Sequence, residues 1–366
     1  MSFTMTMSMF PLTTLIFSLF QISSLASSPP DLINFRSPNL YPESLSWDPT
    51  AQHLIVGSLR HPTLLSVSDA GVINTLVTDD SIPANSSFLG ITVDVVHNRI
   101  LAAVHPRSQP SNCALAAYDL HSPHHRLFLT TLHDAASTNS ASGANDVTVD
   151  FSGNAFVTNS ASNFIWKVDL EGKASVLSKS KIFTKTPVPD SPYSSCGLNG
   201  IAYSSEGYLL VSQSSTGNLY KVDSKDGTAR KIELNRELNA PDGIAIRSDG
   251  VLLVVSQYKL YFIKSSNSWS DGVVYDEIVL DTRRFPTSVT VGAEDRVYVL
   301  YGNVNEGIMG NSQRDEFSIL KVRLEDESGD DAIWLYVLIG FGFAYFLVWR
   351  FQMHQLFTNM DKTKIV

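Results

Sequence analysis

The chain has 366 residues, 43% of them hydrophobic and 17% charged, enough apolar material for one large domain with a full core. Its formal net charge is −9 and no basic stripe interrupts it, which argues against a nucleic-acid partner.

Residues 12–26 (LTTLIFSLFQISSLA) are apolar but too short, and too interrupted by Ser, Thr and Gln, to cross a bilayer. They end in Ser24-Leu25-Ala26, a small-x-small pattern suited to signal peptidase. Residues 1–26 are therefore expected to be a cleaved secretory signal peptide.

A strand-like segment, Leu32-Ile33-Asn34-Phe35-Arg36, comes next, and a repeat follows it. Each copy is a turn-forming segment, a short apolar strand, then Gly, Asp or Asn, then a second strand. The copies read YPESLSWDPTAQHLIVGS from Tyr41, LGITVDVVHNRILAAVH from Leu89 and GANDVTVDFSGNAFVTN from Gly143. They continue as GLNGIAYSSEGYLLVSQ from Gly197, APDGIAIRSDGVLLVVS from Ala240 and FPTSVTVGAEDRVYVLYG from Phe285. Successive copies are roughly 43 to 55 residues apart, the spacing of propeller blades. The strands are short, β-branched or aromatic, and bounded by Gly, Asn, Asp and Ser, with no helical periodicity among them. Residues 31–324 are thus expected to form an all-β, six-bladed β-propeller. The sixth copy lacks a fourth strand, which Leu32–Arg36 is expected to supply at its outer edge.

Within this body Asn85-Ser86-Ser87 is an N-glycosylation sequon in a loop-like stretch, so Asn85 is a candidate glycan site. Cys113 and Cys196 fall in different repeats and are either a disulfide or two buried thiols. The Pro- and Ser-rich insertion from Lys181 to Cys196 reads as a pocket wall or as a plain surface loop.

An acidic linker, 325–331, precedes the uncharged run AIWLYVLIGFGFAYFLVW over 332–349, which is expected to be a transmembrane helix. Trp334, Tyr336, Tyr345 and Trp349 lie near its ends, and Arg350, Lys362 and Lys364 follow it. The charge bias puts the tail, 350–366, in the cytosol and the propeller in the lumen or outside, as in a single-pass type I protein of the secretory pathway. Lys362 and Lys364 are spaced like a dilysine retrieval signal that coatomer recognises.

In a propeller the innermost strands all start on one face. Those starts carry Glu43, Gly90, Asn145 with Asp146, Asn199, Asp242 and Ser288. Carboxylates and amide carbonyls, without thiol or imidazole, suit a hard cation, Ca2+ ahead of Mg2+. The returning second strands end on the same face with Arg60 and His61, His105 and Arg107, Asn159, Gln213, Gln257 and Tyr301, candidates for specificity.

Pro42-Glu43-Ser44, Asn145-Asp146, Leu198-Asn199-Gly200 and Pro241-Asp242-Gly243 resemble the regucalcin/gluconolactonase-like family of six-bladed propellers, part of the calcium-dependent phosphotriesterase superfamily. The likeness covers most of residues 41–324, and the C-terminal span suggests a plant-type membrane-anchored member. The resemblance implies that Glu43, Asn199 and Asp242 hold a divalent metal, with Asn145 beside it as a substrate or water contact. It further implies hydrolysis of a lactone or ester, with Asp242 or Asp146 as general base and His105, Gln213 and Gln257 near substrate. Two relatives' chemistries are disfavoured. Paraoxonase-like catalysis uses a His pair, and His124-His125 is placed away from the pocket. Strictosidine synthase-like condensation needs a Glu where this chain has Phe285-Pro286-Thr287-Ser288. The alternative is a non-catalytic propeller that binds a partner protein or small metabolite at its central face.

Overall fold

The computed structural model describes residues 31–107, 112–133, 142–190, 193–322 and 329–363. The expected leader, the acidic stretch 323–328 and the last three residues, Lys364 among them, lie outside the described residues. The chain divides into two units, Met1–Val322 and Arg323–Val366.

In the first unit the short strands pair antiparallel with their sequence neighbours. The described residues form four four-stranded sheets and one eight-stranded sheet. The larger sheet is two four-stranded sets joined where Glu233 and Leu234 run parallel to Asp271 and Gly272. Each set has one inner strand: Leu45–Asp48, Ser86–Asp94, Ala144–Val149, Leu198–Ser204, Pro241–Ile246 and Pro286–Val291. Each inner strand touches the next and the last touches the first, which closes a ring around an axis. A cavity of about 200 Å³ is lined from all of these strands, by Ser46, Thr92, Thr148, Tyr203, Ile246 and Thr290 among others.

Because every sheet has a neighbour on each side, strands away from the rim bury both faces and read as apolar runs. Ala155–Asn159 and Leu252–Ser256 are buried throughout. Ile33, Phe35, Leu45, Leu54, Tyr298 and Phe317 pack between the last set and the first. Trp47 stacks on Tyr298 there, with ring centroids 6.0 Å apart and planes within 7°. At the end of the ring away from the strand starts, buried Asp94 binds Arg99 at 2.9 Å. Arg99 also donates to the carbonyls of Gly153 and Leu170, tying the second set to the third.

The closing strand forms where the sequence places it. Asp31–Arg36 pairs antiparallel with Glu316–Val322, from Asp31 opposite Lys321 to Arg36 opposite Glu316. It covers an edge that would otherwise expose unpaired backbone groups.

The second unit is one helix, Gly329–Thr363. Its apolar part is Tyr336–Thr358, 23 residues with mean hydropathy 1.3 and none of it buried, long and apolar enough to cross a membrane by length and composition. The helix starts inside the expected linker and continues past the expected end at Trp349, since no Gly or Pro interrupts residues 350–363.

Phe35 is 2% exposed and its ring lies 6.0 Å from that of Phe317. Phe35→Ala is therefore expected to cost about 3–5 kcal/mol, read as a lower melting temperature and an earlier denaturant midpoint. An unchanged midpoint would show that this strand does not secure the ring.

Candidate functional site

The inner strands begin irregularly, and the irregularity is the same around the ring. Between Ala144 and Val147 the inner strand advances one residue more than its partner, which goes from Asn159 to Val157. The same β-bulge separates Phe88 from Ile91, Leu198 from Ile201, Pro241 from Ile244 and Pro286 from Ser288. In the first set the bonds from Gly57 N to Ser44 O (3.3 Å) and from Leu59 N to Tyr41 O (3.1 Å) leave the same extra residue. An unpaired extra residue bends the strand and re-aims its side chain. The bulges contain or adjoin Glu43, Gly90, Asn145 with Asp146, Asn199, Asp242 and Thr287.

Glycines let the bulges approach one another. A Cβ on Gly200 would lie 2.4 Å from the Asp242 carbonyl oxygen, and one on Gly90 would lie 2.4 Å from Asp146 Cα. The carbonyls and amides freed by the bulges are taken up by neighbouring sets. Thr158 Oγ1 donates to Asn199 O at 2.7 Å and Ser212 Oγ to Asp242 O at 2.9 Å. Asp146 Oδ2 accepts from Ile201 N at 3.0 Å, while its Oδ1 accepts from Val147 N at 2.8 Å. Ser214 Oγ donates to Pro241 O at 2.7 Å, so it must accept from Asn199 Nδ2 at 3.0 Å. That fixes the amide orientation of Asn199 and leaves its carbonyl oxygen out of the bond. The Asn145 side-chain oxygen is buried and has no hydrogen-bond partner.

These contacts bring Glu43, Asp146 and Asp242 within electrostatic reach of one another. Burial first, then the charges of Asp242 and Asp146, holds the Glu43 carboxyl well above the usual range. Burial and Asp146 push Asp242 up to about 8, against a hydrogen bond from Asn199. Burial pushes Asp146 up to about 7, against its two backbone donors. No basic side chain is among the groups acting on these carboxyls. Among the described residues no three His, Cys, Asp or Glu side chains assemble into a metal-ligating group; the donors here are carboxylates combined with amides.

Two residues at the end of the insertion, Tyr193 and Cys196, lie near Asp242. Tyr193 is hydrogen-bonded to Tyr258, and burial, that bond and the nearby Asp242 raise its pKa. Cys196 lies 3.5 Å from Asn199 Nδ2, and burial and Asp242 push its thiol up to about 11. Cys196 and Cys113 are thiols and do not form a disulfide. Tyr193, Cys196, Ser214 and Tyr258 were not picked out from the sequence as site residues. The nearness of Cys196 to Asn199 in the chain was the available signal.

Other sequence candidates fall elsewhere. Gln213 is fully buried, and its amide is spent: Nε2 donates to Asn163 Oδ1 (2.9 Å) and Thr184 O (2.8 Å), while Oε1 accepts from Thr216 and Tyr220 at 2.9 Å each. This corrects its assignment to substrate, because no donor or acceptor remains. His105 sits beside the site, Nδ1 3.4 Å from Cys113 Sγ, and burial lowers its pKa. Gln257 is half-buried just past Leu252–Ser256. Asn159 Oδ1 accepts from Ala161 N and Ser162 N, each at 3.0 Å. His124 and His125 are exposed on a turn. Asn85 is half-buried in the turn that leads into Ser86–Asp94, after exposed Pro83 and Ala84, and fully buried Ser87 donates to Leu59 O at 2.6 Å.

A closed ring of small antiparallel sheets, with carboxylates and amides gathered at its bulged strand starts, defines a propeller-type protein with an acidic axial site. The sequence matches the SMP-30/gluconolactonase/LRE-like region over residues 41–301, and the chain belongs to that family. Among solved structures it is similar to the major allergen Mala s 1 of Malassezia sympodialis, with 15% identity, TM-score 0.66, and 81% of this chain and 97% of that one covered. It is also similar to a gluconolactonase from Xanthomonas campestris, with 15% identity, TM-score 0.53 and coverage of 80% and 89%. A streptogramin B lyase is similar at 13% identity, TM-score 0.54 and coverage of 80% and 97%. No curated protein matches the chain.

The raised carboxyls set a pH dependence. Asp146 and Asp242 hold a proton in the folded state up to about 7 and about 8, whereas the unfolded chain releases it near the ordinary carboxyl value of 3.8. The folded state binds more protons across that window, so its contribution to stability is full below it and is lost as pH rises through the folded values. With chelator present, the melting temperature is expected to fall between pH 5.5 and 8.5, and Asp242→Asn to flatten that fall. A rise over the same interval would contradict the arrangement.

Proposed function

We propose that this protein is a six-bladed propeller hydrolase that opens a lactone or ester with a divalent cation, Ca2+ before others, at its axis. The observation that supports it is the set Glu43, Asp146 and Asp242, joined by Asn145 and Asn199, with no basic side chain to balance it. The unpartnered buried oxygen of Asn145 fits a cation, which accepts mixed carboxylate and amide donors in irregular geometry. Glu43, Asn199 and Asp242 would hold the ion, with Asn145 beside it. A cation there supplies Lewis acidity toward the substrate carbonyl.

The chain's own groups do the rest. Asp146 is the proposed general base, because Asp242 is committed to the cation while Asp146 is positioned by the amides of Ile201 and Val147. It takes a proton from the attacking water as the carbon–oxygen bond forms. It then returns the proton to the leaving oxygen as the ring or ester bond breaks, giving a hydroxy acid, or an acid and an alcohol. Tyr193, hydrogen-bonded to Tyr258, lies within electrostatic reach of Asp242, and Asn145, His105 and Gln257 are the proposed substrate contacts.

In the cell we propose a single-pass type I protein of the secretory pathway, its signal peptide removed and the helix of Tyr336–Thr358 in the bilayer. The propeller is then luminal or extracellular, Asn85 carries a glycan, and the tail with Lys362 and Lys364 is open to coatomer. Residues 31–324 form the blades on this reading.

The test uses the full chain in detergent. Ca2+ at a hundred times its Kd is expected to stabilise the wild type by about 2.7 kcal/mol. Glu43→Gln and Asp242→Asn should abolish that gain while keeping the fold. Asp146→Asn should keep the Ca2+ response and lower lactone kcat by about 10²–10⁴-fold. A protein that melts identically in Ca2+ and in chelator overturns the metal reading. One that binds Ca2+ yet turns over no lactone or ester supports the ligand-binding alternative.

A further inference from the structure

Arg60, His61 and Arg107 form a second charged cluster, opposite in sign to the axis. Arg60 follows the strand His53–Val56, and Arg107 follows Arg99–Pro106. Leu59 N donates to Tyr41 O (3.1 Å), and Pro106 lies opposite Ser86, so both arginines stand on the face where the inner strands start. Arg107 Nη2 donates to the Arg60 carbonyl at 3.2 Å and Nε to the Asn85 carbonyl at 2.9 Å. Arg60 Nη1 donates to Gly307 O at 3.3 Å. The backbone beneath them is pinned: Ser58 Oγ donates to Leu40 O (2.8 Å) and accepts from Arg60 N (3.0 Å) and His61 N (3.1 Å).

Neutral carbonyls thus orient both guanidinium groups, and among the described residues no carboxylate forms an ion pair with either. In this acidic chain that is unusual. Apart from Arg230, the other described arginines of the first unit each pair with a carboxylate. The Arg60 Nε is buried and has no partner at all. The two charges act on each other: burial and Arg60 lower the Arg107 pKa, and burial, Arg107 and Arg60 lower that of His61. Two acids, Asp79 and Asp80, line the adjoining groove with His61, and of these Asp79 is already bound by Arg126 at 2.6 Å and by Tyr118 at 2.9 Å.

We propose that Arg60, His61 and Arg107 form a recognition site for an oxyanion, a carboxylate or phosphate group carried by the small-molecule ligand. Each guanidinium retains N–H donors in the planar fork that suits such a group. The inference deepens the lactone or ester reading and rests on it for one point only, that the anionic ligand is the substrate. The axial carboxylates repel an anion, so a substrate bearing one lies with its charge at the arginines and its carbonyl toward the axis.

Two measurements on the full chain in detergent test the site separately. Calorimetric titration with inorganic phosphate should give saturable binding in the wild type, weakened roughly tenfold or more in R60Q/R107Q. R107Q alone, at an exposed position, should show part of that loss with an unchanged melting temperature and serves if the double variant misfolds. Kinetics then compare a neutral lactone with a carboxylate-bearing one. The double variant should raise KM for the charged lactone about tenfold, leaving kcat and the neutral substrate unaffected. Phosphate binding equal in wild type and both variants overturns the site, as does no binding in the wild type. Phosphate binding without turnover of either lactone upholds the site while sinking the hydrolase reading.

Discussion

Three buried carboxyl groups lie within electrostatic reach of one another at the axis, no basic side chain is among the groups acting on them, and much of the surrounding structure answers to that interaction. Burying one carboxylate without compensation is costly, and like charges in one pocket raise the cost further. The protein meets it with oriented dipoles. Two backbone amides reach Asp146, and the Asn199 amide reaches Asp242. These donors moderate the repulsion without cancelling it, since all three carboxyls still stay above their ordinary range. A polar cluster left under-compensated in this way is what the proposed cation would relieve. A structural cluster would more cheaply be built from amides and hydroxyls alone.

That contact exists only because the ring closes and the bulges coincide. Each bulge breaks the ladder within its own sheet and hands a carbonyl or amide to the next sheet. Hydroxyls one set upstream, on Thr158, Ser160, Ser212 and Ser214, take those carbonyls. The cost of bending the inner strand is offset by bonds that tie neighbouring sheets together, so site geometry and ring stability share the same side chains. Gly90 and Gly200 belong to this arrangement too, because any side chain there would hold adjacent inner strands apart. Closure by Asp31–Arg36 matters for a related reason: a ring that opens at one seam lets Glu43, in the first set, drift from Asp242, in the fifth.

The repeat made the strands, the closing edge and the acidic starts legible, since each depends on local pattern. Pro241-Asp242-Gly243 reads as a turn into a strand whether or not a partner is known. What stayed hidden depends on register and on other parts of the chain. Gln213 occupies the same position at a strand end as a pocket residue would, yet Asn163, Thr184, Thr216 and Tyr220 converge on it from elsewhere and exhaust its amide. Tyr193 belongs to an insertion with no repeat to align it, so its place near Asp242 was open. The uncharged run 332–349 is bounded by Arg350, whereas the helix continues past it because Arg, His and Gln are ordinary helix residues.

The face that carries the site is electrically divided. Its centre is acidic and its edge at the first two sets is basic, although the whole chain is negative. A net negative surface slows the approach of an anionic ligand, while a local pair of unneutralised arginines gives it one favourable landing place. With a cation on the axis, the centre changes sign in effect and attracts the carbonyl oxygen of the same molecule. A ligand with an anionic group at one end and an electrophilic carbonyl at the other then has one orientation that satisfies both charges. A neutral lactone has no such preference and must be held by shape alone. Orientation of this kind lowers the entropic part of the barrier rather than adding bond energy. On the proposed reading the arginines would select among substrates without taking part in the bond changes, which would fall to Asp146 and the groups around the axis.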